Sequence, residues 1–142
     1  METKRICVIG AGNGGCAIAG DMALAGHSSR LYEFPEYAEN IEAISAQGGL
    51  KVTGIARTGF APLDVITTDL AEAVDGADVI MVATQALAHE RVGRELAPLL
   101  IAGQAVVLWP GSGGTLAVRQ VWDSLDFEVP VLLAEGATFP YC

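Results

Sequence analysis

Hydrophobic positions along the chain follow two alternating patterns, short continuous apolar runs and longer stretches with helical spacing. The continuous runs are typical of parallel strands that helices cover on both faces, and they span residues 5–9, 78–83, 105–109 and 131–134. In the intervening segments the apolar residues recur every three or four positions. This spacing predicts helices over residues 16–25 and 114–125, and around the apolar positions 37–44, 70–77 and 92–100, with Pro98 shortening the last of these.

The alternation of strands and helices predicts one α/β domain over residues 1–142. Residues 29–33 form the second predicted strand, and residues 63–67 form the third after a small β excursion at residues 50–53 and 57–60. Asp69 with Glu72 predicts a capping box for the helix that follows. Two β-α-β-α-β halves predict a doubly wound Rossmann sheet of six parallel strands in the order 3-2-1-4-5-6.

A glycine-rich turn joins the first predicted strand to the first helix. It reads Gly10, Ala11, Gly12, Asn13, Gly14, Gly15. In this position Gly10 makes the sharp turn, Gly12 leaves room for a pyrophosphate, and Gly15 lets the helix lie close to the sheet. The residues Gly10, Gly12, Asn13, Gly14 and Gly15 are therefore predicted to bind a dinucleotide at the helix N-terminus. The alternative is a plain glycine-rich turn.

An acidic residue ends the second predicted strand about 20 residues beyond the glycines, where a carboxylate accepts hydrogen bonds from the adenosine ribose. This residue is Glu33, and Phe34, Pro35 and Glu36 follow it. A 2′-phosphate would be repelled here and finds no arginine directly after the strand. The sequence therefore favours NAD over NADP as the cofactor. The alternative for Glu33 alone is a solvated acid at a strand end.

Three further loops open onto the same carboxyl edge of the predicted sheet. Thr84, Gln85 and Ala86 follow strand four and are expected to border the ribose and pyrophosphate. Pro110 and the glycines after it follow strand five, and Glu135 follows strand six, so both are expected at the nicotinamide end. The loop after Pro110 is equally well explained as a helix entry.

One histidine, His89, lies near this edge, whereas His27 precedes strand two on the opposite edge. A histidine there is a candidate general base. The sequence identifies no carboxylate partner for it, so the interpretation favours a surface or ribose-side position, and no catalytic residue is predicted in this chain.

Charge and cysteine content narrow the class of protein further. A net charge of −9 argues against nucleic acid or an anionic membrane as a partner. The amino terminus lacks the features of a signal peptide, and no apolar stretch is long enough to span a bilayer. Cys7, Cys16 and Cys142 form neither a disulfide framework nor a metal site. Cys7 is expected in the core and Cys16 as a small packed residue, although the helix dipole there would lower a thiol pKa. A cytoplasmic protein is expected.

Residues 4–142 resemble the amino-terminal domain of the opine dehydrogenase family, which includes octopine and nopaline dehydrogenases. The residues that carry the resemblance are the G-x-G-N-G-G turn, the segment 48–52, the Asp78-Val79-Ile80 strand start, Pro110 and Gly111 with the segment 113–116, and Glu135. The larger group also contains 6-phosphogluconate and glycerol-3-phosphate dehydrogenases and ketopantoate reductases.

The resemblance implies that an amino acid condenses with a 2-oxo acid and that a nicotinamide cofactor reduces the imine. It also implies that the catalytic His and Asp pair belongs to a following helical domain, absent from this chain, so the chain alone is expected to be inactive. A ketopantoate or glycerol-3-phosphate reductase domain is the alternative enzyme, and a stand-alone NAD-binding module is the alternative without catalysis. The sequence is compatible with a homo-oligomer.

Overall fold

A computed structural model describes residues 2–140 of the chain. The strands are β1 (Arg5–Ile9), β2 (Ser28–Tyr32), β3 (Gly49–Val52), β4 (Gly59–Pro62), β5 (Val65–Thr67), β6 (Val79–Val82), β7 (Ala105–Leu108) and β8 (Leu132–Glu135). The helices are α1 (Asn13–Leu24), α2 (Glu39–Gln47), α3 (Leu70–Val74), α4 (His89–Leu96) and α5 (Gly114–Ser124), with short 3-10 turns at Pro35–Tyr37 and Ala86–Ala88.

Six of these strands form one sheet in the order β5-β2-β1-β6-β7-β8, and every neighbouring pair is parallel. Ranked along the chain, these strands have the order 3-2-1-4-5-6, so the predicted doubly wound topology is confirmed. The predicted β excursion is the antiparallel hairpin β3-β4. This hairpin packs on α1, where a Cβ added to Gly20 would lie 2.6 Å from Val52 Cγ2.

The sheet has a hydrophobic core on each face, which explains why its strands are apolar at successive positions. In β1, Ile6 and Val8 join the core on the side of α1 and α2, whereas Cys7 and Ile9 join the core on the side of α3, α4 and α5. Successive side chains of a strand point to opposite faces. Trp122 of α5 is fully buried in the second of these cores.

Local signals set the ends of several elements. Gly48 has φ +74° and ends α2, as its position predicts. Asp69 caps α3 through the N–H groups of Ala71 and Glu72. Only this half of the predicted capping box forms, because the Asp69 N–H donates to Thr67 Oγ1 at 3.0 Å. Helix α4 ends at Leu96, two residues before Pro98.

The predicted buried face of the helix after Pro35 is wrong at its first position. Ile41 and Ile44 are buried, but Tyr37 is 52% exposed. The reason is a break in the helix, since a 3-10 turn covers Pro35–Tyr37 and α2 begins only at Glu39. Leu125 is likewise 43% exposed, because α5 ends one residue before it.

Cys7 is buried and Cys16 half-buried, both as free thiols, and Cys142 lies outside the described residues. No helix within residues 2–140 has the length and apolar character required to cross a bilayer.

Candidate functional site at the carboxyl edge of the sheet

The glycine turn after β1 has the geometry that its sequence predicts. Gly10 has φ +101°, and a Cβ there would lie 2.9 Å from the Ala83 carbonyl oxygen. Gly15 packs still more tightly, since its Cβ would lie 1.7 Å from the Gly10 carbonyl oxygen. These two glycines bring β1, α1 and the end of β6 together, and side chains at either position would separate them.

Gly12 has a different environment, because a Cβ added to it would meet no described atom within 4 Å. It is the N-cap residue of α1, and no side chain caps the helix there. The first N–H groups of α1, those of Asn13, Gly14 and Gly15, therefore begin a helix whose positive dipole end faces open space. This combination of open space and uncapped helix fits a pyrophosphate group.

Two cavities meet at the turn. One has a volume of about 490 Å³, and the predicted site residues along it are Gly10, Gly12, Glu33, Thr84 and Gln85. The other has a volume of about 320 Å³, and the predicted residues along it are Gly12, Asn13, Gly14, Thr84, Gln85, Ala86 and Pro110. Together they form one cleft along the carboxyl ends of β1 and β6, where the topology of the fold predicts a ligand.

A larger hollow of about 560 Å³ lies apart from this cleft, between α2 and the end of β5. Its described lining includes Ile41, Glu42 and Thr68 but no residue of the glycine turn. The cleft, which has both a helix N-terminus and glycines with close backbone approach, is the better candidate for a dinucleotide.

Glu33 lines the larger of the two cavities and is more buried than an acid at the end of a strand usually is. It is 5% exposed. Its carboxylate accepts hydrogen bonds from the Ala11 N–H at 3.1 Å, the Phe34 N–H at 2.8 Å and Asn40 Nδ2 at 3.1 Å. A carboxylate has about four acceptor positions, so these bonds leave room for about one more donor. Glu33 therefore holds the glycine turn against β2.

Glu135 and Gly15 are the predicted site residues that do not line either cavity. Glu135 instead caps α5, accepting bonds from the Gly113 N–H at 3.0 Å and from the N–H and hydroxyl of Thr115, each at 2.9 Å. The hydrogen bonds from Thr115 lower the pKa of the Glu135 carboxyl. Its carboxylate thus fixes the loop between Pro110 and α5.

The surface or ribose-side position predicted for His89 is wrong. His89 is 0% exposed and begins α4. It packs beneath α5, where a Cβ on Gly114 would lie 2.0 Å from His89 Nδ1. A 3-10 turn at Ala86–Ala88 comes directly before it. Burial lowers the pKa of His89, although the carboxylate of Glu135 acts in the opposite direction.

The buried neutral imidazole of His89 is expected to make stability depend on pH. The unfolded histidine titrates near pH 6.5, whereas burial keeps the folded one neutral, so the unfolded chain binds more protons below that pH. Stability is therefore expected to fall as the pH drops from about 7.5 to 5.5, by at most about 1.4 kcal/mol per pH unit. Urea unfolding at several pH values measures it.

The matched variants for this measurement are His89→Gln and His27→Gln. The slope in this pH range is expected to vanish in the first and to persist in the second, where His89 is unchanged. Equal slopes in wild type and His89→Gln would contradict the assignment. The carboxyls with lowered pKa, such as that of Glu135, titrate at more acidic pH and do not affect the comparison.

The expected effect of the helix dipole on Cys16 is also wrong, because burial and then the charge of Glu33 raise its thiol pKa. The Cys16 thiol donates a hydrogen bond to the Ala11 carbonyl oxygen at 3.3 Å. Cys16 is therefore a packed small residue, as the main interpretation of the sequence had it.

Sequence reasoning missed Arg91 and Phe139 as cleft residues. The ion pair between Arg91 and Glu95 is predicted from their i,i+4 spacing and is observed, but Arg91 also lines the larger cavity. Phe139 lines the smaller one and lies so close to Gly14 that a Cβ there would be 2.4 Å from its ring. Neither contact has a local sequence signal, because each joins segments far apart in the chain.

Comparison with known proteins places this geometry in a family. Residues 5–113 match the family model of the NAD-dependent glycerol-3-phosphate dehydrogenase N-terminus. The chain is 34% identical to an opine dehydrogenase of Arthrobacter sp. (strain 1C), over 85% of this chain and 33% of the relative. It is 35% identical to a glycerol-3-phosphate dehydrogenase [NAD(P)+] of Stenotrophomonas maltophilia (strain R551-3), over 95% of this chain and 40% of the relative.

Among solved structures, the chain is similar to octopine dehydrogenase with NADH and L-arginine. The TM-score is 0.82 at 27% identity, and the match covers 99% of this chain and 36% of that one. The resemblance to opine dehydrogenases is thereby confirmed. The chain spans only about a third to two fifths of the length of the curated relatives it matches.

The matched family is NAD-dependent, which confirms NAD as the predicted cofactor. The residues matched by the family model include the glycine turn and the open N-terminus of α1. They also include five of the six strands of the parallel sheet, since only β8 follows the match. This chain belongs to the family of NAD-dependent glycerol-3-phosphate dehydrogenase N-terminal domains.

Proposed function

We propose that this chain is the NADH-binding part of an opine dehydrogenase-type oxidoreductase. The observation that carries the proposal is the uncapped α1 N-terminus beside Gly12, which opens into both cavities of the cleft. The similarity to the Arthrobacter opine dehydrogenase and to octopine dehydrogenase supports this enzyme class. The reaction is reduction of the imine between an amino acid and a 2-oxo acid.

In this proposal the cofactor follows the cleft from end to end. The N–H groups of Asn13, Gly14 and Gly15 bind the pyrophosphate, and the cavity beside Glu33 holds the adenosine ribose. Thr84, Gln85 and Ala86 border the ribose and pyrophosphate, and Pro110 borders the nicotinamide end. Glu135 acts there as a positioning residue, because it fixes Gly113 and Thr115 after Pro110. The bound nicotinamide supplies the hydride chemistry.

The chain is expected to bind NADH in preference to NADPH by at least about tenfold, or about 1.4 kcal/mol. The reason is that the buried Glu33 offers an acceptor to a ribose hydroxyl and repels a 2′-phosphate. Titration of both cofactors, followed by the fluorescence of Trp109 and Trp122, measures the preference. Glu33→Gln, which keeps the shape of the side chain, is expected to weaken NADH more than NADPH. Equal or reversed affinities in wild type would contradict the role of Glu33.

The 142-residue chain alone is expected to show no opine dehydrogenase turnover, even where it binds NADH. Imine reduction needs a positioned proton donor, which typically contributes about 10² to 10⁴-fold to the rate. Among the described residues at the carboxyl edge the one histidine is His89, which is buried and has no carboxylate hydrogen-bonded to it. We propose that a further helical domain supplies the catalytic groups.

The test is to follow NADH oxidation with pairs of amino acids and 2-oxo acids. Turnover by the 142-residue chain that is lost in His89→Ala would contradict the proposal. Cofactor binding without turnover, combined with activity in a longer gene product, would support it. Cofactor binding in a gene product of natural length that has no reductase activity would instead favour a stand-alone NAD-binding module.

A glycerol-3-phosphate dehydrogenase is the second candidate, because the matched family model and the Stenotrophomonas relative both have that name. A ketopantoate-type reductase shares the same cofactor domain. Assays of the longer product with dihydroxyacetone phosphate, ketopantoate and amino acid/2-oxo acid pairs separate the three.

The free thiols of Cys7 and Cys16 support our proposal of a cytoplasmic location.

A further inference from the structure

The outer wall of the adenosine-side cavity contains an arginine that donates a hydrogen bond from each of its three guanidinium nitrogens. Arg91 of α4 donates to both carboxylate oxygens of Glu36, at 3.3 Å for Nη2 and Oε2 and more closely for Nη1 and Oε1. Its Nε donates to Glu95 Oε1 at 2.7 Å. Its guanidinium carbon lies 4.1 Å from the centre of the Phe34 ring, within the range of a cation–π contact.

These contacts place the arginine close to the residue expected to hold the ribose. Phe34 directly follows Glu33, and Glu33 and Arg91 line the same cavity. Among the described residues that line this cavity, Arg91 is the one with a permanent positive charge. Arginine is the side chain best suited to bind a phosphate through two parallel hydrogen bonds. Here each of the two terminal nitrogens that would make those bonds already donates to Glu36.

We propose that Glu36 determines the cofactor selectivity of this pocket by accepting hydrogen bonds from Arg91, which would otherwise donate them to the 2′-phosphate of NADP. The inference rests on the proposed function, since it requires the adenosine ribose to lie beside Glu33. This role differs from that of Glu33, which would bind the ribose itself, because Glu36 acts through its ion pair with Arg91 of α4. Glu36 excludes the 2′-phosphate by competing for the arginine and by adding a second negative charge.

Arg91 and Glu36 are exposed enough for a phosphate to compete with Glu36 for the arginine. The side chains of Arg91 and Glu36 are 43% and 45% exposed, so a phosphate reaching the pocket could contact the guanidinium without moving the backbone. The hydrogen bond from Arg91 is also the main reason why the pKa of Glu36 is lowered. Glu36 therefore stays ionised near neutral pH and keeps the arginine engaged.

The decisive experiment measures NADH and NADPH affinities of the 142-residue chain with Glu36→Gln. The glutamine retains the shape of the side chain and removes its charge. Its amide has one acceptor oxygen where the carboxylate has two, so it releases one terminal nitrogen of Arg91 and weakens the hold on the other, while Glu95 still holds Nε. NADPH affinity is expected to rise at least tenfold, and NADH affinity is expected to stay within threefold. The fragments 2′,5′-ADP and 5′-AMP, used as competitors, test whether the gain belongs to the 2′-phosphate.

Two further variants separate this mechanism from a general loss of negative charge. Glu90→Gln makes the same charge change at an exposed position on the same helix, outside the cavity, and is expected to change neither affinity. The double variant Glu36→Gln with Arg91→Gln is expected to lose the NADPH gain. Circular dichroism confirms that each variant is folded, and Glu36→Ala provides a second way to free the arginine.

The outcomes distinguish this inference from the proposed function. If wild type binds NADH but Glu36→Gln gains no NADPH affinity, the inference is overturned and the proposed function stands. A gain that persists in the double variant, or that Glu90→Gln reproduces, also overturns it. If wild type binds neither NADH nor 5′-AMP, the proposed function fails, and this inference fails with it.

Discussion

Gly12→Val is expected to abolish NADH binding, with a loss in affinity of at least about 100-fold, or about 2.7 kcal/mol. The variant is expected to fold, because Gly12 has φ −73° and ψ −177°, which valine also adopts, and its Cβ would meet no described atom within 4 Å. The cost in the free energy of unfolding should stay within about 1 to 2 kcal/mol. The isopropyl group would occupy the open space in which the pyrophosphate is proposed to bind.

Fluorescence titration with NADH and urea unfolding of the same sample measure the two effects together. Wild-type affinity in a folded Gly12→Val chain would contradict the dinucleotide proposal at its central point. Gly54→Ala is a matched control, since that glycine also has open space around its Cβ position but lies in the β3-β4 loop. It is expected to leave both cofactor affinity and stability unchanged.

Gly15→Ala is expected to have the opposite profile, with its main effect on folding. The added Cβ would lie 1.7 Å from the Gly10 carbonyl oxygen, and that oxygen belongs to the backbone of the turn and cannot rotate away. The free energy of unfolding is expected to fall by about 3 kcal/mol, the upper range for overpacking. This outweighs the helix propensity gained when alanine replaces glycine, which is about 1 kcal/mol.

Thermal unfolding followed by circular dichroism measures this loss, which corresponds to a fall in Tm of roughly 10 °C for a domain of this size. An unchanged Tm would show that α1 can move away from the turn, and would contradict the close packing of Gly10 and Gly15. The comparison of Gly12 with Gly15 thus separates glycine needed for a ligand from glycine needed for the fold, three residues apart.

The sheet could be predicted because its signals are local or periodic. Ile6 and Val8 face one core and Cys7 and Ile9 the other, so a buried parallel strand leaves a continuous apolar run in the sequence. Gly48 ends α2 through a backbone conformation that glycine adopts readily. The order of the strands then follows from the general rules for doubly wound folds.

The remaining features depend on contacts that no local pattern encodes. His89 is buried beneath α5, where Gly114 of that helix leaves space for its ring. Tyr37 is exposed because a 3-10 turn replaces the first turn of the expected helix. Arg91 reaches Glu36 across 55 positions of sequence. Spacing within a segment predicts none of these pairings.

The hydrogen bonds of Glu33 have a consequence for any redesign of cofactor preference. Its carboxylate ties the Ala11 N–H to the end of β2, so replacing it with a small or basic residue would leave a buried donor unpaired, at a cost of about 1 to 3 kcal/mol. In our proposal, the same side chain therefore serves both cofactor selectivity and the fold. If Glu36 has the role we propose, a redesign for NADPH would leave Glu33 in place and begin at the exposed Glu36, where loss of an exposed ion pair costs about 0 to 1 kcal/mol of stability.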